Sequence, residues 1–313
     1  MVGMASTRQA YGKMLVELGR EYKDIVVLGG DLNKSTVTTL FAQEFPDRFF
    51  DFGPAEQNIV SAAAGFASSG KIPFVSTFAV FGTGRPYDQL RVSVAQPHLN
   101  VKLVLTHAGI LTGEDGMSAQ SIEDMALMCA LPGFTVIAPA DAVETDHAVR
   151  AAVEQEGPFY IRLYRPATPL VHVGDRCSFS VGKAELLRDG EDVTIVACGS
   201  MVGSALEAAD LLRSENISTR VLNMHTLTPI DREALEKAAL ETGAVVTAEE
   251  HYIRGGLGSL VAQELALSHP VPMEMVALRT YAESGKSELL LEKYGLTSVH
   301  VAKAVRQVLV RKG

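Results

Sequence analysis

The sequence lacks tryptophan and has few aromatic or cysteine residues. Aromatic residues make up 6% of the 313 residues. The three cysteines, Cys129, Cys177 and Cys198, show no Cys-x-x-Cys spacing. We therefore expect neither a disulfide framework nor a structural metal site, and a reducing cytosol is the expected compartment.

Excess positive charge and long apolar runs are also missing. Lys and Arg total 28 against 37 Asp and Glu, so the formal net charge is -9. This balance argues against a nucleic-acid partner, although a phosphate ligand needs only a few local cations. No apolar run approaches the ~20 residues that span a bilayer, and residues 1–11 do not resemble a signal peptide. We expect no association with a membrane.

The remaining composition is that of a globular protein. Hydrophobic residues make up 47% and charged residues 21% of the chain, and a chain of this length predicts two domains. Short apolar segments alternate with segments of helical spacing, which indicates an α/β fold with mostly parallel sheets flanked by helices. The alternation pauses between Pro166 and Gly190. We predict one domain over 1–172, a linker over 173–190 and a second domain over 191–313.

Periodicity and capping residues predict the main elements of this fold. Ser200 and Asp231 are predicted to cap helices in the second domain. The clearest predicted helices cover residues 6–22, 56–68, 86–95, 121–129 and 142–155. The clearest predicted strands cover residues 24–28, 74–76, 101–105, 135–138, 159–163, 193–197 and 244–247.

Glycine-rich phosphate motifs are incomplete in this chain. Gly255, Gly256 and Gly258 precede a predicted helix, but the full GxGxxG pattern and its later acidic residue are absent. A GxxxxGK[ST] motif is absent as well. We interpret this segment as a tight turn between a strand and a helix, with a phosphate loop as the alternative.

Three segments at predicted strand ends carry residues suited to a ligand site. Glu56 begins a helix, where it either complements the helix dipole or lies at the mouth of the sheet. Phe78 and Phe81 follow a strand and either pack in the core or stack on a flat ligand. His107 ends another strand and precedes Asp115 in a loop rich in glycine, which is typical of a ligand loop.

These segments together resemble the transketolase family of thiamine diphosphate enzymes. The resemblance covers nearly the whole chain and implies a pyrimidine-binding domain followed by a transketolase C-terminal domain. The stretches that carry it are GGDLNKST, FDFGPAEQNIVSAAAGFA, VSTFAVFG, THAGILTGEDGMSAQSIEDMALM and TAEEHYIRGGLGS.

One family motif has no counterpart in this chain. The family's diphosphate and magnesium site carries a GDG motif followed by an asparagine, and nothing in the sequence matches it. The chain therefore resembles the C-terminal subunit of a split transketolase. The resemblance implies thiamine diphosphate as cofactor, with Mg²⁺ or Ca²⁺ held by an N-terminal partner subunit. It also implies a homodimeric core of this chain within a heterotetramer.

The resemblance assigns the cofactor-binding roles to three residues. Glu56 matches the glutamate that hydrogen-bonds N1′ of the aminopyrimidine ring and so promotes removal of the thiazolium C2 proton. Phe78 and Phe81 match the aromatic residues that pack on that ring. The implied activity is transfer of a two-carbon ketol unit from a ketose phosphate to an aldose, in the cytoplasm.

The resemblance also assigns five substrate-binding residues. Arg8, Ser35, His107 and Arg165 match positions that bind the sugar phosphate. Arginine suits phosphate because its guanidinium can donate two hydrogen bonds to the oxygens. Asp115 matches an acceptor for substrate hydroxyl groups. No residue of this chain is expected to bind the metal.

One departure from the family pattern bears on the substrate. Ala119 stands where the GEDG motif usually continues to a histidine that contacts the donor hydroxyls. An unpaired hydroxyl there would cost on the order of 1–3 kcal/mol, so the donor is expected to differ from xylulose 5-phosphate. Alternatives are an enzyme like deoxyxylulose phosphate synthase, a 2-oxo acid dehydrogenase beta-type subunit, and a non-catalytic assembly or regulatory subunit.

Overall fold

The computed structural model describes residues 3–172 and 177–312, and in these residues strands and helices alternate. The described strands are β1 (Met4–Ala5), β2 (Ile25–Gly29), β3 (Phe49–Asp51), β4 (Ile72–Ser76), β5 (Lys102–Leu105), β6 (Thr135–Ile137), β7 (Phe159–Arg162), β8 (Thr168–Pro169), β9 (Glu185–Arg188), β10 (Val193–Ala197), β11 (Thr219–Asn223), β12 (Thr226–Thr228), β13 (Val245–Tyr252) and β14 (Met273–Leu278).

The described α-helices are α1 (Thr7–Glu21), α2 (Asn33–Thr36), α3 (Thr39–Glu44), α4 (Glu56–Ser68), α5 (Ala79–Gly84), α6 (Tyr87–Gln89), α7 (Asp124–Cys129), α8 (Ala142–Glu154), α9 (Met201–Arg213), α10 (Arg232–Thr242), α11 (Leu257–Leu267), α12 (Ser287–Lys293) and α13 (Ser298–Lys312). A π-helix covers Leu90–Ala95, where the sequence predicts the second half of an α-helix. Single-turn and two-turn 3₁₀ segments cover Pro46–Arg48 and Ile110–Asp115.

Two mostly parallel sheets carry the fold. Within the described residues, the first sheet has the strand order β12-β6-β7-β5-β4-β2-β3 and is parallel except where β12 joins β6. The second has the order β14-β13-β10-β11-β9 and is parallel except where β9 joins β11. The predicted α/β fold class is confirmed.

Helices cover both faces of the first sheet, which explains its nearly continuous apolar strands. All five residues of β2 are buried. On one face, Tyr11 and Leu15 of α1 pack with Ile25 and Phe74. On the other face, the small residues of α4 allow it to lie close to the strands. That close packing places the first residue of α4 at the carboxyl edge of the sheet.

The apolar core is continuous between the two sheets. One cluster of buried side chains includes Val60 and Leu103 of the first sheet layer together with Val196, Leu235 and Val261 from the second. A further cluster joins β10, β11 and β13 to α9 and α13. Apolar surface shared in this way holds the two layers together.

Three of the described helices have a side-chain cap, and the sequence predicted one of them, Asp231 of α10. Ser6 accepts a hydrogen bond from Gln9 N in α1, and Asp231 accepts one from Ala234 N in α10. Asp141 caps α8 by accepting from Glu144 N, which the sequence analysis did not single out. The prediction that Ser200 caps α9 is wrong, because its hydroxyl donates to Glu250 instead.

The predicted domain limits of 1–172, 173–190 and 191–313 stay a prediction. Residues 1, 2, 173–176 and 313 lie outside the described part of the chain. The predicted linker contributes β9 to the second sheet, and β12, from the predicted second domain, lies at the edge of the first sheet. Among the helices described, none combines the length and the apolar character needed to cross a membrane.

Candidate active site

The loops that follow β2, β4, β5 and β7 meet at the carboxyl edge of the first sheet. Parallel α/β sheets bind ligands at this edge, because the strand ends there place loops and helix N-termini side by side. The chain continues from these strands into residues 30–35, 77–85, 106–120 and 163–166. Each of the eight residues implicated by the sequence belongs to one of these loops, to α1 or to α4.

Glu56 is the first residue of α4 and its side chain is almost completely buried. Only 3% of the residue is exposed. Its Oε1 accepts a hydrogen bond of 2.9 Å from Nη1 of Arg85, forming an ion pair. A carboxyl in this position complements the positive end of the helix dipole. One oxygen of the Glu56 carboxyl is therefore paired with Arg85, and the other completes the carboxyl at the edge of the sheet.

Arg85 is a site residue that sequence reasoning missed. Its guanidinium carbon lies 4.0 Å from the centre of the Phe81 ring, so the cation rests on the aromatic face. The side chain of Arg85 is 47% exposed, whereas that of Glu56 is 4% exposed. The only signal in the sequence is the position of Arg85 four residues after Phe81, one helical turn further along.

Phe78 and Phe81 have different surroundings. Phe78 is buried and its ring stacks on the imidazole of His107, with 3.7 Å between the ring centres. The rings of Phe78 and Phe81 are nearly parallel at 5.8 Å. Phe81 is half-buried, and Arg85 covers one of its faces. A flat ligand that displaces Arg85 would therefore stack on Phe81, whereas the Phe78 ring is buried.

His107 has a backbone conformation that is uncommon for a residue with a side chain. Its φ of 57° lies in the left-handed region, which histidine tolerates better than most non-glycine residues. Its Nδ1 is 2.9 Å from the hydroxyl of Thr106, and 3% of the residue is exposed. Burial, together with the charges of Arg8 and Arg165, lowers the pKa of His107 to about 3. The ring is therefore neutral near pH 7.

Arg8 connects two loops of the site through its guanidinium. Nη1 donates to the carbonyl oxygen of Ser35, and Nη2 donates to the carbonyl oxygen of Arg165, each at 2.5 Å. Its buried Nε has no hydrogen-bond partner within the described residues. Burial and the charge of Arg165 lower the pKa of Arg8. The unpaired Nε–H is a donor in a positively charged pocket, which suits an anionic ligand.

Arg165 lies beside Arg8 and forms long ion pairs with two acidic residues. Nε of Arg165 is 3.7 Å from Oδ2 of Asp115, and Nη1 is 3.8 Å from Oε2 of Glu114. Nη1 also donates to the carbonyl oxygen of Thr112 at 3.3 Å. Both ion pairs are long and partly exposed, so the guanidinium can exchange them for a phosphate at little cost.

Five of the predicted residues thus form one cluster, and three form another. The first cluster consists of Arg8, Ser35, His107, Asp115 and Arg165. The second consists of Glu56, Phe78 and Phe81. The stacked rings of Phe78 and His107 connect the two. Ser35 contributes its carbonyl oxygen to Arg8, and no hydrogen bond of its hydroxyl is seen within the described residues.

The glycine-rich segment before α11 is a turn. Glu249 accepts hydrogen bonds from the backbone N–H groups of Leu257 and Gly258 at 2.7 and 2.8 Å. A Cβ at Gly256 would lie 2.0 Å from Oε2 of Glu249. Burial raises the pKa of Glu249 to about 7. The carboxyl of the chain itself therefore occupies the position that a phosphate would need, and the tight-turn interpretation holds.

Both halves of the chain match known family models. Residues 3–171 match the pyrimidine-binding domain of transketolase, and residues 182–301 match the transketolase C-terminal domain. The chain belongs to the transketolase family. The resemblance deduced from the sequence motifs is confirmed.

Transketolase relatives of similar length match the chain from end to end. A putative transketolase C-terminal section from Methanocaldococcus jannaschii is 43% identical, with 96% of this chain and 95% of that protein covered. The 6-deoxy-6-sulfo-D-fructose transketolase subunit SqwH from Clostridium sp. strain MSTE9 is 42% identical, with 97% and 95% covered.

A solved transketolase structure has the same fold over the same length. It is a split-gene transketolase described as an inactive β4 tetramer, and it is 50% identical to this chain. The TM-score is 0.91, and the match covers 99% of this chain and 100% of that chain. The two-sheet architecture described above is therefore a transketolase architecture.

Proposed function

We propose that this chain is the C-terminal subunit of a two-chain transketolase that depends on thiamine diphosphate. The observation that carries the proposal is the buried carboxyl of Glu56, linked to the Phe81 ring through Arg85, in a chain that belongs to this family. The proposed reaction moves a two-carbon ketol unit from a ketose phosphate to an aldose acceptor. Three free thiols are consistent with a cytoplasmic location.

The second cluster fits the aminopyrimidine end of the cofactor. Glu56 offers a carboxyl oxygen to a ring nitrogen, and Phe81 offers an aromatic face for stacking. When bound, thiamine diphosphate supplies the nucleophilic carbon that carries the two-carbon unit. Glu56 would hold the proton shared with the ring nitrogen, and Phe81 would exclude water from that contact.

The diphosphate and its metal ion do not fit this chain. Within residues 3–172 and 177–312, the one group of side chains close enough to hold a metal ion includes none of the eight predicted residues. We propose that an N-terminal partner subunit holds the diphosphate with Mg²⁺ or Ca²⁺. The name of the Methanocaldococcus relative, a C-terminal section, supports a separate N-terminal section.

The first cluster fits the phosphate and hydroxyl groups of a sugar phosphate. Arg8 and Arg165 place two guanidinium groups around the neutral ring of His107. A phosphate would accept charge-assisted hydrogen bonds from both arginines, and His107 would donate or accept according to its tautomer. Asp115 would accept a hydrogen bond from a substrate hydroxyl once Arg165 turns to the phosphate.

The donor sugar is proposed to be non-standard. Ala119 is 8% exposed and places a methyl group in the loop after Asp115. A methyl group cannot pair with a donor hydroxyl, so a sugar that is substituted or branched there loses less than an ordinary ketose. The Clostridium relative is a transketolase subunit named for a sulfonated fructose, which supports variation of the donor among chains of this kind.

The proposed assembly is a heterotetramer with two copies of this chain at its centre. The β4 tetramer of the split-gene relative supports self-association of such chains, and its description as inactive supports a missing partner. A site shared between subunits would explain why Glu56 and the phosphate cluster provide only part of an active site.

Reconstitution tests the proposal directly. This chain is purified alone and together with a thiamine diphosphate-binding chain that carries a GDG motif, and ketol transfer is measured against a panel of phosphorylated and sulfonated ketoses. We expect transfer only by the mixture. Transfer by the isolated chain would refute the split-subunit proposal. A mixture that assembles but transfers nothing from any donor would favour the non-catalytic alternative.

A further inference from the structure

A third cluster of chemically reactive side chains lies outside the two clusters of the proposed active site. We call it the linker cluster; its members are Glu144, His172, Cys177 and Glu185. Each offers one ligand atom, and these four atoms lie within 4.8 Å of one another. The residues come from α8, from the chain on either side of residues 173–176, and from the start of β9. The linker cluster therefore joins the first sheet layer to the second.

The donor atoms of the linker cluster are those that zinc selects. Zinc binds thiolate, imidazole and carboxylate together, whereas magnesium and calcium prefer oxygen alone. A tetrahedral zinc site with bonds of about 2.0–2.3 Å separates its ligand atoms by roughly 3.3–3.8 Å. The observed upper separation of 4.8 Å and the Nε2 to Oε2 distance of 2.8 Å between His172 and Glu185 bracket that range. Zinc binding would draw the Glu144 carboxyl, which now accepts hydrogen bonds from Ala140 N and Asn223 Nδ2, toward the ion.

Asp141 orients His172 in the way that metal-binding histidines are usually oriented. Its Oδ2 is 3.1 Å from Nδ1 of His172 and also accepts from the backbone N–H groups of Val171 and His172. Its Oδ1 accepts from Glu144 N. Asp141 is therefore held as a carboxylate, so it favours the proton on Nδ1 and directs Nε2 toward the rest of the cluster. A carboxylate behind a ligating imidazole is the common arrangement at zinc sites.

Together with Asp141, the linker cluster brings three carboxyl groups to a single imidazole, which lies within hydrogen-bond distance of two of them. Asp141, Glu144 and Glu185 face one imidazole, and within the described residues no lysine or arginine forms an ion pair with any of the three. Glu144 and His172 are 0% and 2% exposed. Protonated His172 supplies one positive charge against these acidic groups, and a bound zinc ion would supply two, which suits a buried site with more carboxyl groups than basic ones.

We propose that the linker cluster binds one zinc ion, which ties α8 of the first sheet layer to β9 of the second. The four ligands would fill a tetrahedral shell and leave no position for substrate, so the site is structural. The sequence argued against such a site because its three cysteines show no Cys-x-x-Cys spacing. The fold brings them together, since Glu185 begins β9 and Glu144 lies in the first turn of α8.

Metal titration of the full chain tests the proposal. The chain is stripped with a chelator and titrated with ZnCl₂ alone, and bound zinc and the melting temperature are measured. We expect one zinc per chain and a melting temperature that rises with zinc, because an ion that binds the folded state stabilises it. Titration with Co²⁺ should give a thiolate-to-cobalt absorption band. A wild-type chain with no bound zinc, or with no such band, overturns the proposal.

Matched serine variants identify the ligand. Cys177→Ser should lose the cobalt–thiolate band and bind zinc about 100-fold more weakly, since a thiolate ligand is removed. Cys129→Ser removes a thiol of similar exposure outside the linker cluster. It should leave the cobalt–thiolate band and the zinc affinity unchanged. Equal zinc affinity in the two variants would overturn the proposal. If Cys177→Ser does not fold, Glu185→Gln takes its place with the same affinity readout.

Discussion

The Nη1 atom of Arg85 lies 2.9 Å from Oε1 of Glu56 while the same guanidinium rests 4.0 Å above the Phe81 ring. A flat group with N–H donors that stacks on Phe81 and bonds to Glu56 is also what the proposed aminopyrimidine contact requires. In the chain by itself, Arg85 thus pairs with Glu56 and stacks on Phe81, the two residues that the cofactor is expected to contact. Binding of the cofactor would exchange one planar partner for another.

Arg85→Met should strengthen cofactor binding in the two-chain complex. The partly exposed ion pair is worth up to ~1 kcal/mol, so the Kd for thiamine diphosphate is expected to fall by about 5-fold at most. Calorimetric titration measures this, with Arg91→Met as a control that removes a surface arginine paired with Asp88. Weaker binding would mean that Arg85 contacts the cofactor and does not compete with it.

Glu56→Gln should abolish cofactor activation without affecting assembly. Glutamine keeps the size of the side chain but cannot hold and return a proton, so exchange of the cofactor C2 proton should slow by about 10²–10⁴-fold. Exchange is followed by NMR in the two-chain complex, and assembly by size-exclusion chromatography. Glu44→Gln, which alters a surface pair with Arg20, is the control. An unchanged exchange rate would remove Glu56 from the mechanism.

Arg165→Met should affect phosphorylated donors selectively. Loss of a charge-assisted hydrogen bond costs about 1.5–3 kcal/mol, which corresponds to a KM about 10–100-fold higher for a ketose phosphate. The kcat for either donor, and the KM for an unphosphorylated ketose, should change much less. Steady-state kinetics with a phosphorylated and an unphosphorylated donor give both values. An equal loss for the two donors would show that Arg165 does not bind the phosphate.

Ala119→His should move donor preference toward ordinary ketose phosphates. The imidazole restores a hydrogen-bonding group where a methyl group now stands, and one hydrogen bond to a donor hydroxyl is worth about 1 kcal/mol or more. Competition between ordinary and substituted donors in the two-chain complex gives the ratio of their kcat/KM values. The idea of an altered donor fails if the ranking of the panel is unchanged.

The stability of the isolated chain should fall as the pH falls from 6.5 toward 3, in part because of His107. The pKa of this ring drops from its ordinary value of 6.5 to about 3 on folding. Within that window the unfolded chain binds a proton that the folded chain does not, so acid favours unfolding. His107→Asn, which tolerates the left-handed backbone, should give a shallower decline of melting temperature.

Exposed His269 provides the control for that experiment. His269→Asn removes a histidine at the surface and should leave the slope of melting temperature against pH unchanged. Melting curves of the three proteins between pH 7 and pH 4 decide the outcome. Parallel slopes for the wild-type chain and His107→Asn would show that His107 is not the group responsible.

Local sequence signals predicted the helices and strands that interactions between near neighbours in the sequence form. The bounds of α4 agree at both ends with the prediction of 56–68, because its run of small residues has helical spacing throughout. Strand β10 agrees in the same way with residues 193–197. The helix predicted over 86–95 is instead α6 followed by a π-helix, and α2 and α3 were not predicted. Short helices of this kind depend on tertiary packing, which outweighs propensity.

Contacts between distant residues explain what the sequence could not predict about the site. Arg85 and Glu56 are 29 residues apart, and nothing in either segment indicates that they pair. Ser200 was expected to cap a helix but pairs with Glu250, 50 residues further along. The motif resemblance grouped Arg8, His107 and Arg165 because relatives share the fold, and the structure brings these three side chains close together.

The pairing of β12 with β6 restricts where such a polypeptide can be divided between genes. A chain ended between the two sheets would leave the edge of β6 open and uncover the apolar side chains around Leu103 and Val196. Open edges and bare apolar faces invite aggregation. Division of the chain between the two sheets should therefore yield two pieces that aggregate before either can fold.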